Sequence, residues 1–282
     1  ESWLNSRVSN ETRGSVFSVY MIVYLFAVTS GQMSLVAFDP MMLDLFAVSA
    51  ILFTLALIPT SLTKLPAPEV PARVELNLKH LFKLSPVGAA GAFMVGMANG
   101  SFGTLGPVYA QETGFDTSGV ALFMSLALVA GALAQWPFGK LSDQIDRRIV
   151  IGSVGALGSV AGLAIVLFGA PGVVTLGLVS LFGVAAFSLY GLSVAHANDH
   201  AESSDFIMVS GGLLVLFGIG SAVGPLVSAA LSMVMTSSGV FAFTAAMHGA
   251  LALFAFYRMS QRDAVPDEEK DDFVGFARPT SP

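Results

Sequence analysis

The side chains of this chain that could carry chemistry are few, and the histidines are the first to consider. His196 and His200 are four residues apart, a spacing that places two imidazoles on one face of a helix and can hold a metal ion. Two interpretations stay open, a metal site or a polar loop in which Ser204 or Asp205 caps the next helix. We favour the polar loop and assign no metal. His248 is the one titratable candidate deep in an apolar stretch.

Other catalytic patterns are absent from the sequence. It contains no HExxH pair, no Walker loop and no nucleophile elbow. It also has no cysteine, which excludes a disulfide framework, thiolate zinc sites, iron–sulfur clusters and cysteine catalysis. We therefore predict no enzymatic activity and no cofactor.

The composition decides the environment of the chain. Of its 282 residues, 54% are hydrophobic and 11% are Asp, Glu, Lys or Arg, whereas an ordinary soluble domain carries about 25% charged residues. The formal net charge of −6 argues against a nucleic acid as partner. The sequence predicts an integral membrane protein with the lipid bilayer around it.

Eight stretches pass about 20 residues without a charge, the length that a helix needs to cross roughly 30 Å of hydrocarbon. Their apolar residues run continuously, whereas barrel strands alternate. We predict an all-α fold with eight transmembrane helices. The spans cover residues 15–37, 43–63, 86–110, 118–138, 149–170, 172–195, 206–233 and 240–257.

The basic residues are sorted to one side of these spans. All 13 of them fall at the termini or in alternate loops, and the opposite loops carry only the acids Asp39, Asp44, Glu112 and Asp116. Cytoplasmic loops collect Lys and Arg, so we predict that both termini are cytoplasmic. The basic residues are Arg7, Arg13, Lys64, Arg73, Lys79, Lys83, Lys140, Arg147, Arg148, Arg258, Arg262, Lys270 and Arg278.

Two segments are predicted to lie outside the bilayer core. Residues 64–85 begin as a Pro-rich spacer and end in a short basic amphipathic stretch, 76–84, which suits a helix on the inner membrane surface. A plain polar linker is the alternative. Residues 259–282 are acidic with little apolar content, which is typical of a disordered tail.

The loop between the fourth and fifth spans carries a motif. Residues 139–148 read Gly-Lys-Leu-Ser-Asp-Gln-Ile-Asp-Arg-Arg. This resembles the cytoplasmic signature of the major facilitator superfamily, and Gln144 and Asp146 depart from that pattern. The matching residues are Gly139, Leu141, Ser142, Asp143, Arg147 and Arg148.

The resemblance implies a domain organisation. Members of this family usually have two bundles of six helices joined by a cytoplasmic linker. On this basis residues 1–63 are the end of the N-terminal bundle, 64–85 the linker, 86–258 the C-terminal bundle and 259–282 a cytoplasmic tail. The chain would then correspond to helices five to twelve, the last two-thirds of such a protein. A natural protein of eight spans is the alternative.

The resemblance also implies a role for Asp143. In the family this carboxylate holds the loop to the start of a helix in the other bundle when the protein is open outward. The partner here would be the start of span one, near residues 12–14. The alternative is that Lys140, Arg147 and Arg148 only mark topology.

By the same resemblance, the helices that line the cavity supply candidate solute contacts, and neighbouring helices add Gln32 and Gln135. Residues of these types are more often packing or interhelical hydrogen-bond residues than ligand contacts. The cavity candidates are Asn99, Ser101, Phe102, Tyr109, Phe187, Tyr190, Ser193, Gln32 and Gln135. Glu1 and His248 are candidates for proton coupling. The alternative for Glu1 is an ordinary carboxylate at the level of the lipid headgroups, and the alternative for His248 is an interhelical hydrogen bond. Small residues at helical spacing indicate close helix packing, at Gly96, Gly100, Gly220, Gly224 and Pro225.

The function that we predict is secondary transport by alternating access in a bacterial inner membrane. Apolar walls with a few hydroxyls and amides suit a small neutral or amphiphilic solute. The proton as coupling ion is taken from the resemblance. We expect a monomer. A membrane receptor or sensor that signals through the acidic tail is the alternative.

Overall fold

A computed structural model describes residues 10–39, 41–62, 76–201 and 205–261. Within these ranges the chain forms nine α-helices and one 3₁₀ turn, and no β-strand. The all-α membrane fold predicted from the sequence is therefore confirmed. The helices are α1 (Asn10–Ala37), α2 (Asp44–Leu62), α3 (Leu78–Leu84), α4 (Pro86–Glu112), α5 (Thr117–Gln144), α6 (Arg147–Phe168), α7 (Val173–Asn198), α8 (Phe206–Met235) and α9 (Gly239–Met259).

The long helices coincide with the eight apolar stretches, and α3 is the extra short helix in the linker. By length and hydropathy, five helical stretches of the described residues could cross a membrane: α2, α5, α6, α7 and residues 206–259. A sixth is added if α3 and α4, bent by 115° at Ser85, count as one broken span. The count of eight crossings stays a prediction. Glu1, most of the linker and the acidic tail lie outside the described residues.

The helices begin where the sequence provides a cap. Ser85 Oγ accepts a hydrogen bond from the Gly88 amide, and Pro86 follows at the first helical position. Asp116 caps α5 in the same way, with its carboxylate accepting from the Gly119 amide at 2.8 Å. The Gly119 amide and the Ser118 hydroxyl both donate to the Asp116 carboxylate. These two bonds hold the pKa of Asp116 below its usual value.

Helices α4 to α9 pack into one bundle through three long seams, which pair α4 with α8, α5 with α7 and α6 with α9. In the first seam Gly96 and Gly100 lie on the backbone of Phe217 and Ser221. Any Cβ at either glycine would collide with those carbonyls. Gly220 and Gly224 of α8 lie equally close to the backbone of Phe93 and Met97. The glycines singled out by their spacing thus face each other across one seam. Pro225 follows within α8.

The other two seams use glycine in the same way. Gly131 of α5 and Gly183 of α7 approach each other's helices too closely for a side chain. In the third seam, Gly158 and Gly162 of α6 make room for His248 and Ala245 of α9. Small residues that allow such close approach are typical of contacts between membrane helices, because lipid tails are as apolar as leucine and packing has to hold the helices together.

The two N-terminal helices are packed differently from the bundle. Helix α1 lies against α5, and no residue of α2 is buried. The outer faces of the bundle are also strongly apolar: Leu133, Trp136 and Leu226 are each more than 70% exposed. Apolar surface of this extent is expected where hydrocarbon is the solvent.

Candidate functional site

Two amide side chains meet a single point of α7 in the middle of the bundle. Asn99 has thirteen residues of the 27-residue helix α4 on either side, which places it near mid-depth. Its Nδ2 donates to the carbonyl of Ala186 at 3.0 Å, and Gln135 Nε2 of α5 donates to the next carbonyl, Phe187, at 3.3 Å. A helical carbonyl has a second lone pair free for such a bond. The two amides therefore join α4, α5 and α7 at one level.

The carbonyl oxygen of the Asn99 side chain has no hydrogen-bond partner among the described residues. A buried amide oxygen without a partner is costly in an apolar interior. The Asn99 side chain therefore holds a buried hydrogen-bond acceptor near mid-depth that has no partner among the described residues.

Aromatic side chains surround this point. Phe187 is half-buried, and its ring centroid lies 6.3 Å from that of Phe102. Tyr190, one turn further along α7, packs on Phe217 of α8 at 4.7 Å. Phe102 and Tyr109 are each 1% exposed, and both belong to a larger aromatic cluster. The ring contacts of that cluster join Phe102, Tyr109, Phe115, Phe123, Phe182, Phe187 and Phe241.

Two of the other cavity candidates form hydrogen bonds within their own helices. Ser101 and Ser193 are buried and donate to carbonyls of their own helices, Met97 at 2.8 Å and Leu189 at 2.7 Å. Gln32 is half-buried on α1. The structure thus brings Asn99, Gln135 and Phe187 together. Solute contact by any of the nine candidates stays a prediction.

A network of ion pairs lies at one end of the bundle, and Arg147 is at its centre. Its guanidinium is almost fully buried, with Nε 2.6 Å from Asp199 Oδ2 and Nη1 2.8 Å from Asp143 Oδ1. Nη1 also donates to Ser142 Oγ at 2.8 Å. The motif loop is thereby tied to the end of α7. Asp199 was missed in the sequence because it is 52 residues from Arg147 and no local spacing connects them.

Arg148 makes a second link, to α9. It contacts the Asp146 carboxylate at 2.7–3.1 Å and donates to the carbonyl of Arg258 at 3.2 Å. Burial acts to raise the pKa of Asp146, but the hydrogen bonds and charge of Arg148 outweigh it, and that pKa lies below its usual value. Asp146 also caps α6 through the Arg148 amide. This departure from the family pattern therefore gives the loop both a helix cap and an ion pair.

Asp143 faces Arg147 in this structure. Residues 12–14, its predicted partners in the other bundle, have no described side chains. The latch between the bundles therefore stays a prediction.

The paired histidines do not converge on a common point. The His196 and His200 rings are 4.7 Å apart in a T-shaped arrangement, and His200 Nδ1 lies 2.9 Å from the His196 carbonyl. The described residues contain no group of three His, Asp or Glu side chains that could hold a metal. Of the two predicted caps of α8, Ser204 lies outside the described residues. A cap by Asp205 is wrong, because its side chain makes no capping bond and lies 3.2 Å from His80.

His248 is enclosed between three helices. It is 1% exposed, packs on Phe182 at 5.5 Å and fills the space left by Gly158. Neither ring nitrogen has a hydrogen-bond partner among the described residues. The interhelical hydrogen bond expected for this histidine is therefore not formed with any residue that the structure describes.

Apolar helices of spanning length with their charges gathered at the helix ends define a multi-pass membrane protein. The profile of the Major Facilitator Superfamily matches residues 2–208 and, in an overlapping match, residues 90–281. The chain belongs to this superfamily.

Curated relatives carry the name "Uncharacterized MFS-type transporter YcaD". Those of Salmonella typhi and Escherichia fergusonii are 27% and 26% identical over 236 residues, which cover 82% of this chain and 60% of each relative. The relative from Salmonella arizonae is 26% identical over 241 residues with the same coverage. The chain thus spans about three-fifths of the length of these relatives. No solved structure matches it.

Proposed function

We propose that this protein is a secondary transporter that moves a small neutral or amphiphilic solute by alternating access. Membership of the superfamily and the printed name of the relatives support transport. The proposal assigns no enzymatic activity. It places the protein as a monomer in a bacterial inner membrane, with both termini in the cytoplasm.

The class of solute is inferred from one observation, that the side-chain amides of Asn99 and Gln135 both donate to adjacent carbonyls of α7. These amides offer hydrogen bonds without charge. The Asn99 carbonyl oxygen is buried without a partner among the described residues, and in the proposal it accepts a solute donor when the bundle opens around it. Aromatic rings such as Phe187 and Tyr190 supply apolar contact beside them. Few polar groups among apolar walls are the usual composition of a site for a small neutral ligand.

Alternating access requires the bundle to move as a unit, and the charge network supports this. Arg147 and Arg148 tie the α5–α6 loop to the ends of α7 and α9. In alternating access, two helical bundles rock against each other about a site near the middle of the membrane, and each bundle has to stay rigid while it moves. The proton is the coupling ion of this proposal, with Glu1 and His248 as its candidate carriers.

Flux in proteoliposomes tests the proposal. The full chain, expressed from its gene, is reconstituted with a pH gradient and offered chloramphenicol, ethidium or benzoate as neutral, cationic and anionic probes. We expect gradient-dependent flux of the neutral probe, lowered about tenfold by Asn99→Leu, the equivalent of one lost hydrogen bond. Ser180→Ala is the matched control, because Ser180 donates only to its own helix, at Leu176.

Two results would contradict the proposal. Flux of ethidium or benzoate without flux of chloramphenicol would overturn the neutral solute. Absence of gradient-dependent flux for every probe, in vesicles that contain folded protein, would overturn transport.

A further inference from the structure

A proline changes the hydrogen bonding of the C-terminal half of α4. Pro107 lies inside this helix, and proline has no N–H to donate to the carbonyl four residues earlier. The carbonyl of Gly103 therefore lacks its usual helical donor. Gly103 is exposed, and a Cβ built on it would meet no atom of the described residues within 4 Å. A polar backbone group thus lies on an uncovered part of the helix.

The next residue adds a hydroxyl at the same place. Thr104 is exposed, and its hydroxyl makes no hydrogen bond with any residue that the structure describes. Ser101, one turn earlier, instead donates to its own helix at Met97. A hydroxyl can both donate and accept. The Gly103 carbonyl and the Thr104 hydroxyl are therefore two adjacent polar groups that an outside partner can reach.

The exposed residues Gly103, Thr104 and Val108 form what we call the open face of α4. Val108 is the one exposed large apolar side chain of this helix, whereas α8 has many, among them Ile219 and Leu226. Large apolar side chains are the surface that suits hydrocarbon. A backbone carbonyl without a donor is costly in lipid and is tolerated beside water or protein. The open face of α4 is thus suited to a water-filled path.

The open face continues from an amide described above. Asn99 precedes Gly103 by one helical turn, so the two residues are neighbours on the helix surface. Asn99 is partly buried, and its Oδ1 has no partner among the described residues. The remaining candidates on α4 are each at most 1% exposed: Ser101, Phe102 and Tyr109. Of the four candidates on this helix, Asn99 therefore lies nearest to the open face.

We propose that the Gly103 carbonyl and the Thr104 hydroxyl form a hydrogen-bonding site for the solute, one turn beyond Asn99. The carbonyl accepts a hydrogen bond from the solute, and Thr104 donates one to it. The site takes a neutral molecule with a donor and an acceptor close together, such as an alcohol or a carboxamide. The solute as occupant rests on the proposed transport, whereas the opening of this face to water does not.

Labelling of single cysteines tests whether the open face meets water. The chain has no cysteine, so Thr104→Cys introduces its one thiol. Leu226→Cys is the control at matched depth, because Gly100 lies against Ser221 and the two positions are four and five residues beyond this contact. The protein is placed in lipid nanodiscs and treated with the water-soluble reagent sulfonatoethyl methanethiosulfonate. We expect Thr104→Cys to react about tenfold faster or more, since the hydrated thiolate is the reactive form. Equal rates would overturn the inference.

Flux of chloramphenicol, which carries hydroxyl and amide groups, tests the hydrogen bond. Thr104→Val keeps the size of the side chain without its hydroxyl and should lower flux about three- to tenfold at low solute concentration. Thr104→Ser keeps the hydroxyl and should retain most of the flux. Native flux in Thr104→Val, or an equal loss in Thr104→Ser, would overturn the site.

The two measurements separate this inference from the proposed transport. Slow labelling of Thr104→Cys together with native flux would overturn the inference and leave transport standing. Rapid labelling without flux of any probe would overturn transport and support an open polar face on α4.

Discussion

Arg147 and Asp199 form a buried ion pair that joins the start of α6 to the end of α7, with 2.6 Å between Nε and Oδ2 and side chains 1% and 2% exposed. Asp143 shares the same guanidinium but is 26% exposed. Removing one member of a buried pair typically costs about 3–5 kcal/mol when the other charge is left without compensation. Here Asp143 remains as a second partner of Arg147, so the cost of losing Asp199 is smaller.

Asp199→Asn should therefore destabilise the protein by about 2 kcal/mol, measured as thermal unfolding in detergent. Asp143→Asn is the control, and because its carboxylate is partly solvated it should cost about 1 kcal/mol or less. It should still insert normally but lower solute flux if the predicted latch exists. Equal destabilisation by both variants would contradict the central place of Asp199, and undiminished flux in Asp143→Asn would remove that residue from the mechanism.

The glycine seam between α4 and α8 gives a second prediction. Gly100→Ala and Gly224→Ala place a methyl group against the backbone of Ser221 and Met97, which cannot move aside as a side chain can. Each should cost about 1–3 kcal/mol. Gly103→Ala and Gly218→Ala lie on the same two helices with open space around them, and they should stay within about 0.5 kcal/mol of the native protein. The melting temperatures of the four purified variants measure these differences in stability. A similar fall in melting temperature in all four variants would exclude backbone contact as the cause.

His248 gives a third prediction, which separates structure from coupling. Replacing a buried polar group that has no partner with an apolar side chain of similar size is neutral or stabilising. His248→Leu should therefore raise the free energy of unfolding by up to about 2 kcal/mol, whereas His248→Ala, which leaves a cavity beside Phe182, should lower it. Unfolding in denaturant measures both. If His248 carries the coupled proton, His248→Leu also abolishes the response of solute flux to a pH gradient. A destabilised His248→Leu would show that the ring has a partner.

Asp146 gives a prediction about how the stability of the protein depends on pH. Its pKa is lowered by Arg148, so the ionised carboxylate contributes stability that is complete above its unfolded pKa of about 4. That contribution is lost as pH falls through the lower, folded value. Thermal unfolding between pH 3 and pH 7 should show this loss below about pH 4 in the native protein. Asp146→Asn keeps a helix cap and should lack this part of the pH dependence. Asp146→Ala should be less stable than Asp146→Asn by about 1 kcal/mol at neutral pH. A native pH profile that persists in Asp146→Asn would assign the effect to another carboxylate.

The sequence was sufficient for the features that depend on one stretch of chain. Long apolar runs predicted the helices, and glycine spacing within α4 and α8 predicted the close-packed faces. Features that join distant residues could not be read in this way. The pair of Arg147 with Asp199, the pair of His80 with Asp205 and the donation from Gln135 to Phe187 each require knowledge of which helices are neighbours. The same holds for Gly131 and Gly183, whose closeness exists only across α5 and α7.

The glycine contacts of α4 with α8 leave no layer of side chains between the two backbones. Side chains can change rotamer and so allow neighbouring helices to shift. Where the two backbones touch directly, a displacement of one helix is passed to the other with little local adjustment. We therefore expect helices α4 and α8 to move as one unit. If the proposed alternating access holds, we expect the helices to shift at boundaries other than this glycine seam.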